Sequence, residues 1–293
     1  MKPTHYNTLA VCISLCLLLA LTGCGIERGV KYTKTIRLTA PLAPGSAFAA
    51  ETHNGSITVC GEDVADCNLI ATIVARAQTQ QDAQMLADQV EVKLEPYDNK
   101  LETRITKPIL QSNQSVSVSL DLKMPHRTGL HLKTHNGEIE ITAIAAKTDA
   151  TTYNGNIIGS ALTGQTKVQS YNGRIELSEV SGDTYAETYN GNVRVVYLKT
   201  APPVCKISIV THNGRIILTT PPEFSATVKA STHNGSIKTH LPVTIAGEIS
   251  KTELVGTIGK GEGKLELETY NGQIYCSRLK NSVIFNQKAP YVR

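Results

Sequence analysis

Apolar and polar residues alternate along most of this chain, and one short motif punctuates the alternation. Leu130, Leu132 and Thr134 take every second position ahead of Asn136, with His131, Lys133 and His135 between them. Ile207, Ile209 and Thr211 do the same ahead of Asn213, as do Leu265, Leu267 and Thr269 ahead of Asn271. A second alternation follows each motif: Ile139 and Ile141, Ile175 and Leu177, Val193 and Val195. Period two marks a strand with one buried face. It sends the Thr and Asn of the motif inward and the His or Tyr between them outward.

The motif, Thr/Ser-His/Tyr-Asn-Gly-x-Ile/Val, occurs eight times, at Asn54, Asn136, Asn154, Asn172, Asn190, Asn213, Asn234 and Asn271. The four copies from Asn136 to Asn190 are 18 residues apart, the next gaps are 23, 21 and 37, and the first copy stands 82 residues upstream of the second. Asn-Gly between alternating runs is also a hairpin signal. A hairpin array would need matched strands on both sides of each turn, whereas here one motif recurs with a second turn between copies, at Thr163-Gly164 and Ser181-Gly182-Asp183. A fixed repeat of this kind predicts an all-β fold, a single-chain parallel β-helix of about eight rungs. Rungs stack about 4.8 Å apart, so equivalent side chains line up. The eight asparagines are expected as an inward amide ladder. His53, His135, Tyr153, Tyr171, Tyr189, His212, His233 and Tyr270 are expected as an outward aromatic column. The Asn-Gly junction suits backbone at positive φ.

Residues 69–126 break the repeat. Ala83, Leu86, Ala87 and Val90 follow helical spacing, predicting a helix over 79–89. Val90-Val92-Leu94 and Val116 to Met124 alternate as strands. This inserted segment, a helix and antiparallel strands, is expected to cap the first end of the solenoid, since a bare terminal coil is an open sheet edge. The main repeats then occupy 127–280 of a domain spanning 45–280, with a tail over 281–293.

The amino-terminal end follows a different logic. Residues 9–21 are almost wholly apolar and close on Leu21-Thr22-Gly23-Cys24. The run is short for a bilayer span and matches a signal peptide over 1–23. Leu-Thr-Gly-Cys resembles the lipobox of bacterial lipoproteins, which implies acyl chains on Cys24, with 24–44 as tether and edge strand. The expected setting is the cell envelope, lipid-anchored. That means the outer membrane of a two-membrane cell, since Gly25 rather than Asp follows the anchor, or the outer face of the plasma membrane in a single-membrane cell. No cofactor is expected, and the expected partners are the membrane and an envelope protein or glycan.

Composition agrees with strands and turns: no Trp, three Phe and 22 Gly. Removing 1–23 takes away Lys2 and no acid, leaving 28 basic residues (29 minus 1) against 25 acidic ones, a formal +3. That charge is too small and scattered for a nucleic-acid partner. Cys60 and Cys67 flank a turn-rich loop that a disulfide would close outside the cytoplasm, two free thiols being the alternative. Cys205 and Cys276 are expected about two coils apart, beyond bridging distance.

Candidate chemistry is sparse. Glycan cleavage needs paired carboxylates. Glu138, Glu140, Glu176 and Glu179 are the nearest approach to that, and they read better as a solvated face. His212 and His233, if on adjacent coils, would lie about 4.8 Å apart. Tyr fills the same position in half the copies, which points to ring stacking rather than metal. The expectation is a non-enzymatic adhesin-like structural or binding module, with a carbohydrate-binding or carbohydrate-active β-helix protein as the alternative. With the lipobox, Val210-Thr-His-Asn-Gly-Arg-Ile-Ile-Leu-Thr-Thr-Pro-Pro and Gly256-Thr-Ile-Gly-Lys-Gly-Glu-Gly-Lys-Leu-Glu-Leu-Glu-Thr-Tyr-Asn-Gly-Gln-Ile in view, the chain resembles the bacterial "putative adhesin" domain family of unknown function over about residues 45–278. The resemblance implies a β-solenoid without established enzymatic activity.

Overall fold

The two alternations in each repeat become two strands, and the strands stack into two facing sheets. A computed structural model describes residues 29–246 and 250–279, so Cys24, the signal segment and the 281–293 tail lie outside the described residues. In the Asn136 rung the two strands are Gly129–Asn136 and Ile139–Thr142; in the Asn154 rung they are Thr148–Asn154 and Ile157–Ser160. Strands ending at Asn belong to a 12-stranded sheet and those starting after Gly to an 11-stranded one. Inside, Ile57, Ile139, Ile157, Ile175, Val193, Ile216 and Ile274 are fully buried. They share one register, a column of β-branched side chains down the core.

Spatial order departs from chain order at the far end. The Asn271 rung (Gly263–Asn271 and Ile274–Arg278) slots between the Asn213 and Asn234 rungs, pairing in parallel with both. Beyond the Asn234 rung, Glu253–Ile258 runs antiparallel to Ala226–Asn234 and covers the open edge of the larger sheet. The connection back is pinned by Ser225, whose Oγ accepts from the N–H of Lys260 and Glu262. The final rung therefore has a parallel neighbour on each side, and the antiparallel segment closes the edge.

The first end is closed by longer elements. They are β1 (Val30–Pro41), β2 (Ala47–Asn54), β3 (Ile57–Glu62), β4 (Asp66–Ala77), α1 (Gln80–Asp88), β5 (Glu91–Tyr97), β6 (Lys100–Thr106) and β7 (Ser115–Pro125). The inserted segment is not antiparallel throughout, because it carries a further rung of the solenoid: β6 and β7 pair in parallel with β2 and β3, while β5 joins β6, and β4 and β1 extend the smaller sheet beyond β7, antiparallel. Thr79 caps α1: its Oγ1 accepts from the N–H of Asp82 at 3.1 Å and donates to that carboxylate at 2.7 Å. Ala83, Leu86 and Ala87 face the sheet, matching the expected helical stripe.

Several expectations are corrected here. Of the eight motif glycines only Gly55, at φ 141°, has positive φ, and none of the asparagines does. Left-handed backbone sits instead at the second turn, on Ala143, Ala161 and Glu179 with φ of 54–58°. The asparagines are not inward: they lie at the corner where the chain turns, and all but the half-buried Asn54 are exposed.

Cys60 and Cys67 are free thiols. Cys60 points outward on β3, Cys67 is buried on β4, and β7 runs between them, so two strand spacings and the sheet itself separate the sulfurs. Cys205 and Cys276, also free, belong to adjacent rungs rather than rungs two apart. Burial pushes the thiols of Cys67 and Cys276 up to about 12 and that of Cys205 to about 11, which leaves them without nucleophilic thiolate.

Candidate functional site: a ring-lined groove

Each motif position has a distinct task at the corner. The Thr or Ser is buried and its hydroxyl donates to the glycine carbonyl of the neighbouring rung. Examples are Thr134 to Gly55 at 3.0 Å, Thr152 to Gly137 at 2.9 Å and Thr269 to Gly214 at 2.9 Å. At the first rung, where no lower glycine exists, Thr52 donates to the carbonyl of Val118 at 3.0 Å. The Asn side chains form one unbroken ladder, each Nδ2 donating to the Oδ1 of its neighbour at 2.7–2.9 Å from Asn234 through Asn271 and down to Asn54. The glycine is dictated by contact. A Cβ at any of the eight positions would lie 1.8–2.1 Å from a backbone carbonyl oxygen of the adjacent rung.

The His and Tyr rings complete the corner. In spatial order they run His53, His135, Tyr153, Tyr171, Tyr189, His212, Tyr270, His233, with centroids 4.5–5.0 Å apart and planes within 3–14°. Tyr270 separates His212 from His233, so the adjacency that would let them share a metal ion does not occur. Among the described residues no group of three or more His, Cys, Asp and Glu is placed to hold a metal ion.

Beside the rings, over the strand backbone, lies a groove of about 830 Å³. Its second wall is the outward column two residues earlier, including Glu51, Lys133, Thr151, Gln169, Glu187 and Glu268. Sequence reasoning passed over this column, although it has the parity of the rings. Its members vary from copy to copy, so no motif marks them. Gln169 donates to Glu187 at 2.8 Å, and the hydroxyl of Tyr185 donates to the same carboxylate. Burial, then that carboxylate, pushes the Tyr185 phenol up to about 12. Because neighbouring rings cover each other's faces, the column presents ring edges, with phenol hydroxyls and imidazole nitrogens among them. Stacking of a ligand on an aromatic face is therefore closed along the interior of the column.

The acids on the other sheet do not converge. Glu138 accepts from Asn156 at 3.0 Å. Glu140 and Glu176 share a column but Ile158 stands between them, and Glu176 pairs with Arg174 at 3.5 Å. Glu140 and Glu176 thus stand two rungs apart, about 9.6 Å between strands.

This repeated corner has known relatives. The family model described as Toastrack DUF4097 matches residues 97–276, from the hairpin before β6 to the last strand of the Asn271 rung. The chain belongs to the Toastrack family. Comparison with curated proteins finds no match. Among solved structures, a "putative cell adhesion protein" from Clostridium sporogenes is 13% identical, with 84% of this chain and 100% of that chain covered and a TM-score of 0.40. A "putative adhesin" from Bacteroides fragilis gives 13%, 84%, 97% and 0.38 in the same order. A "putative lipid binding protein" from Parabacteroides distasonis gives 10%, 84%, 97% and 0.31. At these scores no residue or ligand is carried from those structures to this Toastrack protein.

Proposed function

We propose that this Toastrack protein is a non-enzymatic envelope module, tethered through acyl chains on Cys24, which holds an extended partner along its ring-lined groove. The observation that carries the reading is the groove itself. It has one rigid wall of stacked rings set by the fold and one wall of variable side chains from Glu51 to Glu268, polar but for Val210. A wall free to vary beside a wall that cannot is how a scaffold carries specificity. With the interior ring faces covered, the partner meets hydroxyl and imidazole edges and the polar column. Hydrogen bonding to an envelope protein or a glycan suits such a surface, and ring stacking of sugars does not.

Three experiments test this. Washed envelopes should retain the purified Cys24→Ser protein, which has no acyl chains to insert, saturably, and adding groove-filling Thr151→Trp with Gln169→Trp should abolish retention without unfolding the solenoid by circular dichroism. Retention unchanged by these substitutions rules the groove out. Radiolabelled palmitate should enter the wild type and not Cys24→Ser; equal labelling removes the anchor. A broad glycan panel should show no turnover, and turnover lost in Glu138→Gln or Glu176→Gln would replace the binding reading with a catalytic one.

A further inference from the structure

The corners marked by Asn-Gly are tight, and the matching corner of one rung is not. Between Asn54 and Ile57, as in every motif rung, only Gly and one further residue make the turn. The rung of β6 and β7 instead spends residues 107–114 on the same corner. This loop is closed on itself: the N–H of Gln114 donates to the carbonyl of Gln111 and the N–H of Gln111 to the side chain of Gln114, both at 3.0 Å. It lifts Ile109 and Leu110 off the body, Ile109 being 99% exposed and Leu110 38%. Nothing in the core needs an isoleucine there.

The loop's position gives that exposure meaning. Register pairs Arg76 with Ser115, where the loop rejoins β7, and Val30 with Ala77 at the same end of the sheet. Two strand spacings, about 10 Å, separate the start of β1 from the end of the loop. The chain between Cys24 and Gly29 spans at most about 18 Å when fully extended. A lipid on Cys24 would therefore keep the start of β1 within about 18 Å of the bilayer, and the loop beside it. Lys31 and Arg76 face each other across β1 and β4 at that end, and both are exposed, which suits anionic headgroups.

We propose that loop 107–114 is a second membrane contact, with Ile109 and Leu110 entering the interfacial layer of the bilayer that carries the anchor. The inference rests on lipidation at Cys24. Several acyl chains already secure attachment. The loop's effect is on orientation: it fixes which corner faces the lipid and so where the groove points.

Full-length lipoprotein purified from membranes and reconstituted into phosphatidylethanolamine–phosphatidylglycerol vesicles tests it. The chain contains no Trp, so Ile109→Trp installs a single reporter, and Lys229→Trp installs one about 38 Å away along the stack. With brominated acyl chains, the indole at position 109 should be blue-shifted and quenched several-fold more than the one at 229. Protein that floats with the vesicles but shows no greater quenching at 109 overturns the loop contact and leaves the anchor standing. Protein that fails to float, or floats equally well as Cys24→Ser, overturns the anchor and this contact with it.

Discussion

Replacing Gly155 by alanine separates two reasons for a glycine at the corner, backbone conformation and lack of space. Gly155 has no left-handed φ, so conformation alone would make Gly155→Ala stabilising by about 0.4–1 kcal/mol through the unfolded chain. Space argues the other way. The new Cβ would stand 1.9 Å from the carbonyl oxygen of Gly137 and 2.5 Å from its carbon. Carbon–oxygen contacts settle near 3.3–3.6 Å, so the two rungs must part by more than about 1 Å at this corner. Three hydrogen bonds cross the same gap: Thr152 to Gly137 at 2.9 Å, Asn154 to Asn136 at 2.8 Å and the N–H of Gly137 to the Asn154 carbonyl at 3.0 Å. At about 0.5–1.5 kcal/mol net each, weakening them accounts for about 1.5–4.5 kcal/mol. The usual range for overpacking, about 1–3 kcal/mol, overlaps this, and we expect a loss of about 3–4 kcal/mol.

Gly45→Ala is the matched reference, because Gly45 has φ 88° and open space around its Cα; left-handed strain alone costs about 1–2 kcal/mol there. Urea unfolding followed by far-ultraviolet circular dichroism gives both losses from the midpoints and slopes. Hydrogen exchange localises the first: the amide of Gly137 should lose protection in Gly155→Ala and keep it in Gly45→Ala. A Gly155→Ala variant no less stable than Gly45→Ala would falsify the close-approach account of the motif.

Other outcomes follow from the same corner and from the buried thiols. Tyr171→Ala should lose about 1–3 kcal/mol, since it removes two ring contacts, to Tyr153 at 4.7 Å and Tyr189 at 5.0 Å; Tyr171→His should keep most of that in the same urea titration, and equal losses would refute stacking as the role of the column. Asn172→Ala breaks two ladder bonds and Asn234→Ala one, so unfolding midpoints should fall about twice as far for the first, by about 1–2 kcal/mol given the exposure of the ladder. Maleimide should label Cys60 in the native protein and reach Cys67, Cys205 and Cys276 only on unfolding; rapid native labelling at Cys276 would contradict its burial. The thiols of Cys67 and Cys276 ionise near 9.0 when unfolded and near 12 when folded, so the native state holds those protons more tightly. Their contribution is complete below pH 9 and lost as pH rises towards 12, at up to about 1.4 kcal/mol per pH unit for each. The double Cys→Ala variant should flatten that decline between pH 9 and 10.

Period two around each Asn-Gly was enough to read strands, the buried Thr and the outward rings, because these depend only on alternation within one copy, and the recurrence of one motif at a fixed spacing added parallel stacking. The order in which copies lie side by side was not legible. Eight nearly identical motifs say nothing of which copy lies beside which, and only the 37-residue gap before Asn271 hints that this rung folds back to lie between Asn213 and Asn234. Parity also misplaces Asn. The strand ends on it, so alternation no longer governs its direction, and the ladder forms at the exposed corner. Cys60 and Cys67 look like the two ends of one loop, but β7 enters between their strands from 55 residues downstream of β3's Cys60. The glycine shows the limit most sharply, since its identity is written in the chain while its reason, an oxygen 1.9 Å from an absent Cβ, exists only once rungs are stacked.

The same division bears on where function resides. Thr, ring, Asn and Gly are each fixed by contact with their own counterpart in the next rung, so a change at any of them is paid in stability before it can alter binding. The groove's second wall and loop 107–114 are bound less tightly: Gln169 bonds Glu187 and Lys133 pairs with Glu51, but Thr151, Gln169 and Glu187 differ from one another at equivalent positions, and Ile109 touches no core. A family that shares the corner can therefore differ in partner without differing in fold. The positions to compare between Toastrack proteins are those the motif leaves out.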